Sequence, residues 1–178
     1  MSYPVTNKFI RTLALLNALK TFIAALKWDD NATTLFENVQ IYPTTDLMQA
    51  IDDTRAFDSR LCFIVPVSDH YETIQEGREF SIKCERDFIL LVSDQDFAQT
   101  QPALIGDGTT AVLGIVNIKD CLEEQLTGQN LGFDPRLIRL RPAEGEPMKV
   151  IKAGDARGRQ VWSFNWRADA GQRRFSIP

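Results

Sequence analysis

The sequence predicts an α+β protein: a mostly antiparallel sheet, two long helices packed against it, and a closing β-hairpin. Three observations carry that expectation. Two stretches repeat apolar residues at the steps of one helical face. The other apolar runs are short, rich in β-branched and aromatic residues, and bounded by Gly, Pro or Asp. Helical and strand-like segments do not alternate regularly, as a doubly wound parallel sheet would require.

The first helix is expected over Asn7 to Trp28, where Phe9, Ile10, Leu13, Leu16, Leu19, Phe22, Ile23 and Leu26 line one face. Thr6 or Asn7 is positioned to cap it. "LFENVQIYP" reads as a strand ending before Pro43, and "TTDLMQAIDD" as a short helix with a Thr cap and Asp46 in its first turn. "RLCFIVPVSDHY" is a strand whose Pro66 implies an edge position or an early end, because Pro lacks the N–H a ladder needs. "DHYETIQEGRE" reads as the loop to an antiparallel partner. In that partner, Phe80, Ile82 and Cys84 alternate with Ser81, Lys83 and Glu85. Phe88 to Val92 is almost wholly apolar, as in a strand buried on both faces.

The second helix is expected from about Thr110 to Gln125, capped by Thr109 or Thr110 and followed by Gly128 at a left-handed terminus. Short strands close the chain: "LIRLRP", "MKVIKAG", "RQVWSFNWRAD" and "RRFSIP", with "ADAGQ" as the hairpin loop between the last two. No repeat, low-complexity tract or linker divides the chain, so residues 1–178 read as a single domain.

Composition narrows the class of function. Hydrophobic residues at 44% and charged residues at 25% are ordinary for a globular protein, and no apolar run approaches the roughly 20 residues of a membrane span. No membrane association and no signal-peptide export are expected. Cys62, Cys84 and Cys121 are scattered, form no C-x-x-C pair and sit among apolar neighbours, so buried free thiols are expected rather than disulfides or a zinc site. The net charge of −4 divides unevenly. From Ile151 onward six basic residues face two acidic ones, a net +4, which leaves −8 for the rest. An acidic body with a basic end favours self-complementary assembly as readily as an external polyanion.

The chemistry-bearing residues are few. His70 is the sole histidine and reads as a solvated loop residue. A Ser68–His70 or Cys62–His70 pair would need an orienting acid and an oxyanion hole, and no G-x-S-x-G motif is present. "LIGDGTTAVLG" leads Gly106 and Gly108 into a helix, but it lacks the Lys of a phosphate loop and reads as a tight turn. Asp94 and Asp96 lie past a strand end, where turn chemistry explains them. No catalytic residue, cofactor or metal ligand is assigned. The alternative readings are an unrecognised enzyme centred on Asp94, Asp96 and the Gly106–Gly108 loop, and a single-stranded nucleic-acid module. The latter would use Trp162, Trp166 and the C-terminal arginines, since aromatics stack on bases. The acidic body disfavours that module, and the alternating Trp162, Phe164 and Trp166 read as core or protein interface. Arg157, Arg159, Trp162, Trp166, Arg167, Arg173 and Arg174 are therefore the candidate interface residues.

Taken in order, an N-terminal helix, "LFENVQIYPTTDLMQAI", "RLCFIVPVSDHYE", the long strand "SIKCERDFILLVSDQD", the helix "IVNIKDCLEEQLTGQNLG" and short closing strands resemble a known set of proteins. These are the small tail-terminator and tail-completion proteins of long-tailed bacteriophages and prophages. The resemblance spans nearly the whole chain as an order of elements and carries no residue-level motif. It implies a homo-oligomeric ring, commonly hexameric, that caps the tail tube or joins it to the neck. It also implies assembly in the host cytoplasm and residence in the virion, with nucleic acid met only as DNA passing through the ring.

Overall fold

The computed structural model describes residues 8–28, 32–43, 46–57, 60–76, 79–95, 105–106, 108–109, 112–135, 138–143, 148–152 and 159–176. It is an α+β fold in which one mostly antiparallel sheet carries helices on its faces. Three very long strands form the sheet's spine: β3 (Leu61–Glu76), β4 (Glu79–Gln95) and β7 (Arg159–Ser176). β4 lies between β3 and β7, antiparallel to both, as its unbroken apolar run from Phe88 to Val92 requires. β2 (Asn38–Ile41) adds to the start of β3 as the one parallel pair. On the far side, β1 (Lys8–Phe9), β5 (Leu140–Pro142) and β6 (Met148–Lys152) all pair with the outer edge of β7.

The first helix, α1, spans Thr12–Ala25 and is shorter than the periodicity predicts. Phe9 belongs to β1, and the Ile10 N–H continues that edge by donating to the Ala170 carbonyl at 3.0 Å, so both join the sheet. Leu13 is 66% exposed, while Leu15, Leu16, Leu19 and Ile23 are buried. The residue capping α1 is Arg11, which makes no side-chain cap bond; Thr6 and Asn7 lie outside the described residues.

Helix α2 (Leu47–Asp53) crosses from β2 to β3, the connection that a parallel pair needs. Its cap is Asp46 rather than a threonine: Oδ1 accepts the N–H groups of Met48 and Gln49 at 3.0 and 3.1 Å. A 3₁₀ turn, Thr54–Ala56, follows directly.

Helix α3 (Ile115–Leu126) starts later than expected. Its N-cap is Gly114 at φ +84°, Thr109 lies outside it, and Thr110 is not among the described residues. The reason is steric. Gly106 and Gly114 cross so closely that a Cβ on Gly114 would lie 2.1 Å from the Gly106 nitrogen, and the chain turns into the helix only after that crossing. Gly128, at φ +80°, ends α3 in the left-handed conformation its sequence position predicts.

Alternation along the spine sends residues to two cores. Cys62, Ile64, Phe88, Leu90, Val92, Trp162, Phe164 and Trp166 pack on one face with α1 and α3. Leu61, Phe63, Val65, Leu91 and Val161 pack on the other with Tyr42, Ala50 and Ile51. Full burial of each large aliphatic contributes about 1.5–3 kcal/mol, so the two faces together account for most of the fold's cohesion.

Two loops expected from the sequence are strand. Residues 69–76 are not a connecting loop but the outer half of β3, paired in register with β4 until Glu76 faces Glu79. Pro66 does not end the strand. It lies past the last β2 pair, where the N–H it lacks is not called for, and a bulge at Val67 follows. "ADAGQ" is not a hairpin loop either, and the reversal expected there between two closing strands does not form. Those residues run through the middle of β7, where Ala170 and Gly171 together face Cys84 as a bulge and Gly171 takes φ +100°. With 17 residues of β4 as a template, continuous pairing satisfies more backbone groups than a reversal would.

Beyond the helices, β3, β4 and β7 continue together as an arm, edged by β1 at Gly171 and Gln172. All residues of β3 from Val67 to Gln75 are exposed.

Candidate interaction surface

The candidate interface residues separate into buried, ion-paired and exposed groups. Arg157 lies outside the described residues. Arg159 is only 3% exposed: its guanidinium donates to the Gln95 side-chain oxygen and to the carbonyls of Thr54 and Phe57. It fastens the turn after α2 to the sheet and is closed to a partner. Trp162 and Trp166 are 7% and 2% exposed and belong to the core face shared with α1 and α3. They are core, not interface, and stacking on bases would require opening that core.

Arg167 is held in an ion cluster on the other face of the arm's base. It grips Asp87 with two bonds, at 2.6 and 2.9 Å, and reaches Glu85 at 3.3 Å. Glu85 also receives Arg141 at 2.9 Å and Lys83 at 2.6 Å, and Lys83 lies 3.6 Å from Asp169. The Lys83 bond, reinforced by the two arginines, holds the Glu85 carboxyl below its ordinary range. Burial works against ionisation at Asp87, but the bonds from Arg167 and His70 outweigh it and lower that carboxyl too. Three cations and three carboxylates balance in charge, although the buried Asp169 Oδ1 accepts no hydrogen bond.

His70 joins this cluster in an unexpected way. Its Nε2 lies 2.8 Å from Asp87 Oδ2 and 3.1 Å from Ser68 Oγ. A catalytic relay places the acid and the nucleophile on opposite ring nitrogens, whereas here both share one. The three residues are therefore a polar contact and not a triad. His70 is exposed, as expected, but on a strand rather than in a loop.

Arg173 and Arg174 are exposed near the end of the arm. The Arg173 guanidinium lies 5.0 Å over the Phe9 ring, a cation–π contact. Beside it Phe80 stacks on Phe175 at 4.8 Å, and Phe9 meets Tyr71 edge-on at 6.0 Å. The unlike surface lies on the helices. α2 presents exposed Asp46, Asp52 and Asp53, and α3 presents Asp120, Glu123 and Glu124 against a single Lys119.

Asp94 and the glycine-rich loop do come together. Asp94 is 1% exposed; its Oδ2 accepts the Gly114 N–H at 2.8 Å and its Oδ1 the Gln95 N–H at 2.9 Å. Burial pushes its carboxyl up to about 6, against the pull of those two bonds and of Arg60. Asn117 Nδ2 donates to the carbonyls of Ile105 and Leu113 and closes the loop on itself. Oδ2 thus ties the Gly114 N–H at the start of α3 to the end of β4, while Oδ1 closes on the next residue of its own strand. Asp96 lies outside the described residues.

The three cysteines are free and buried, and burial alone raises the Cys62 thiol. Among the described residues no group of three or more His, Cys, Asp or Glu is gathered as a metal site, and no helix is long and apolar enough to cross a membrane. A cleft of about 310 Å³ opens between the start of α1 and the arm's base, with Leu15, Leu16 and Phe88 below a rim that includes the Arg86–Asp69 ion pair.

Sequence reasoning missed the ion cluster and the buried Asp94 clasp. Lys83, Glu85 and Asp87 alternate visibly, but their partners on β5 and β7 appear only once the strand register is known. The molecule belongs to the class of α+β proteins built on a single sheet with a projecting β-arm. No protein-family model matches the chain, and a search of curated proteins finds no match to it.

Proposed function

We propose that this protein is a structural assembly component of a long-tailed phage or prophage, forming a homo-oligomeric ring, six-membered in the commonest case, at the tail tube's end or the tail–neck junction. The observation that carries the reading is the pair of unlike surfaces on one protomer. Exposed Arg173 and Arg174 lie near the arm's end, and acidic faces lie on α2 and α3. A ring requires a heterologous contact, one surface meeting a different one on the neighbour. Opposite charge on the two surfaces fixes which faces meet and speeds their encounter. The order of elements along the chain adds to this. In finer detail, the reading takes α1 and α3 as the two long helices of that expected order, although each is shorter than its periodicity.

The experiment is sedimentation and electron microscopy of the protein alone and mixed with tail tubes. The reading expects rings, and binding to tube ends. Changing Arg173 and Arg174 together to Glu should weaken ring assembly while leaving the fold intact. A protein that stays monomeric and never binds tube ends refutes the reading; an unchanged oligomer in the double variant removes the arginines from the contact. The nucleic-acid reading keeps Arg173 and Arg174 but not the two tryptophans; salt-sensitive DNA binding would revive it.

A further inference from the structure

From the arm's open edge we infer that β3 is a self-pairing surface: it joins the β3 strand of a second copy, antiparallel, about a two-fold axis through Tyr71. β2 covers only Leu61–Ile64 of β3. From Val67 to Gln75 no described residue bonds to the outer edge, so a run of backbone N–H and C=O groups faces outward in a strand whose other edge is already paired with β4. Such an edge is a template for another strand. It is also where exposed apolar groups gather: Val67, Tyr71 and Ile74 are 48%, 58% and 37% exposed, three of the seven large hydrophobics exposed on the described surface.

Charge selects both the partner and the register. With the two-fold axis normal to the sheet, each residue keeps its face, so only residues of like parity face each other across the axis. Self-pairing at Asp69 or Glu72 places like carboxylates face to face, and self-pairing at His70 sets two imidazoles together and each Glu72 against Ser68. Self-pairing at Thr73 sets Glu72 against Ile74 and leaves Ser68 and Asp69 beyond the end of the partner strand at Glu76. Self-pairing at Tyr71 alone sets each His70 against Glu72 of the second copy, twice over. It also sets Tyr71 against its own copy across the axis, with each ring leaning inward toward Phe9, and sets Ser68 against Ile74 and Asp69 against Thr73. The bulge at Val67 ends the ladder at one side, as bulges do. At the level of the axis each copy contributes β3, β4, β7 and β1, so the product is a continuous eight-stranded sheet.

This contact closes at two copies and uses β3, whereas the ring reading uses Arg173, Arg174 and the acidic helices, so the two fail separately. The test exploits the self-opposed position. Tyr71→Glu and Tyr71→Lys each place like charges together across the axis, and an equimolar mixture places opposite charges there. By sedimentation equilibrium at about 0.1 mM, each single variant is expected at about half the wild-type mass, with the mixture restoring it. Near-UV circular dichroism confirms that each variant keeps its fold. Tyr71→Cys, oxidised, is expected to yield a covalent dimer, while Thr73→Cys is not. A wild type that is monomeric, variants with unchanged mass, or a mixture that fails to recover would each overturn the proposal.

Discussion

Asp94 gives the fold a pH dependence of unusual sign. The perturbation is Asp94→Asn, which removes the charge and keeps the shape. In the folded chain burial raises this carboxyl to about 6, well above an ordinary aspartate. A raised folded value means that the folded state holds its proton more tightly than the unfolded one. Stability from this group is therefore fully present below the unfolded value of about 3.9 and is lost as pH rises through 6. Over that window the charged form costs about 3 kcal/mol at pH 7, from roughly two pKa units at 1.36 kcal/mol each. Asparagine escapes that cost but accepts at only one atom. It forfeits either the Gly114 or the Gln95 bond, a loss of about 1–3 kcal/mol. The two proteins should thus be close in stability at pH 7. As pH falls to 4 the wild type should gain about 2–3 kcal/mol on the variant. Urea titrations at pH 7, 6, 5 and 4, compared through midpoint and slope, measure that gain. A stability difference that stays constant across the series, or that shifts in the variant's favour on acidification, refutes the reasoning.

Three further outcomes are expected. Glu85→Gln should show the opposite pH trend, because the Glu85 carboxyl is lowered by Lys83 and the arginines. Its contribution is present above the ordinary glutamate range and lost as pH falls, so the variant's deficit of about 1–3 kcal/mol at pH 7 should shrink in acid urea titrations. Gly114→Ala should cost more than about 3 kcal/mol and loosen the start of α3, since the new Cβ meets the Gly106 backbone at a positive φ. Amide exchange at the first turn of α3 would register the loosening, and an unchanged rate would count against it. Trp166→Ala should cost about 3–5 kcal/mol by thermal or urea unfolding, as expected of a residue 2% exposed in the main core. A loss under about 1 kcal/mol would show that the site is not packed as described.

Much of the fold was legible because periodicity reports burial. The all-apolar Phe88 to Val92 run marked the central strand, and the Leu and Ile spacing marked both helices, although not their ends. Helix ends were lost to tertiary competition: Phe9 and Ile10 fit a helical face but serve the sheet edge of β7. The outer half of β3 was illegible for a plainer reason. Its residues are exposed on both faces, so no apolar alternation separates "DHYETIQE" from a polar loop. Gly171 misled as well, because a glycine beside Asp and Ala signals a turn in sequence, and only the unbroken β4 template makes it a bulge. Of the candidate interface, alternation rightly put Trp162 and Trp166 on one side, but no local signal distinguishes Arg159, buried on carbonyl groups, from the exposed Arg173.

β7 also dictates when the chain can fold. It is the furthest strand along the described chain, and it pairs with segments that start as early as Lys8 and end as late as Lys152. Until β7 has been synthesised, β4 has one bare flank, β1, β5 and β6 have no strand to join, and the core face lacks three of its largest rings. A nascent chain released from the ribosome short of residue 159 would carry an open hydrophobic sheet edge, the sort of species that aggregates or recruits chaperones. Folding thus waits on β7, and the long-range pairings it must make favour a slow search. Ribosome-stalled chains lengthened stepwise through β7 should show protection from protease arriving abruptly rather than in stages.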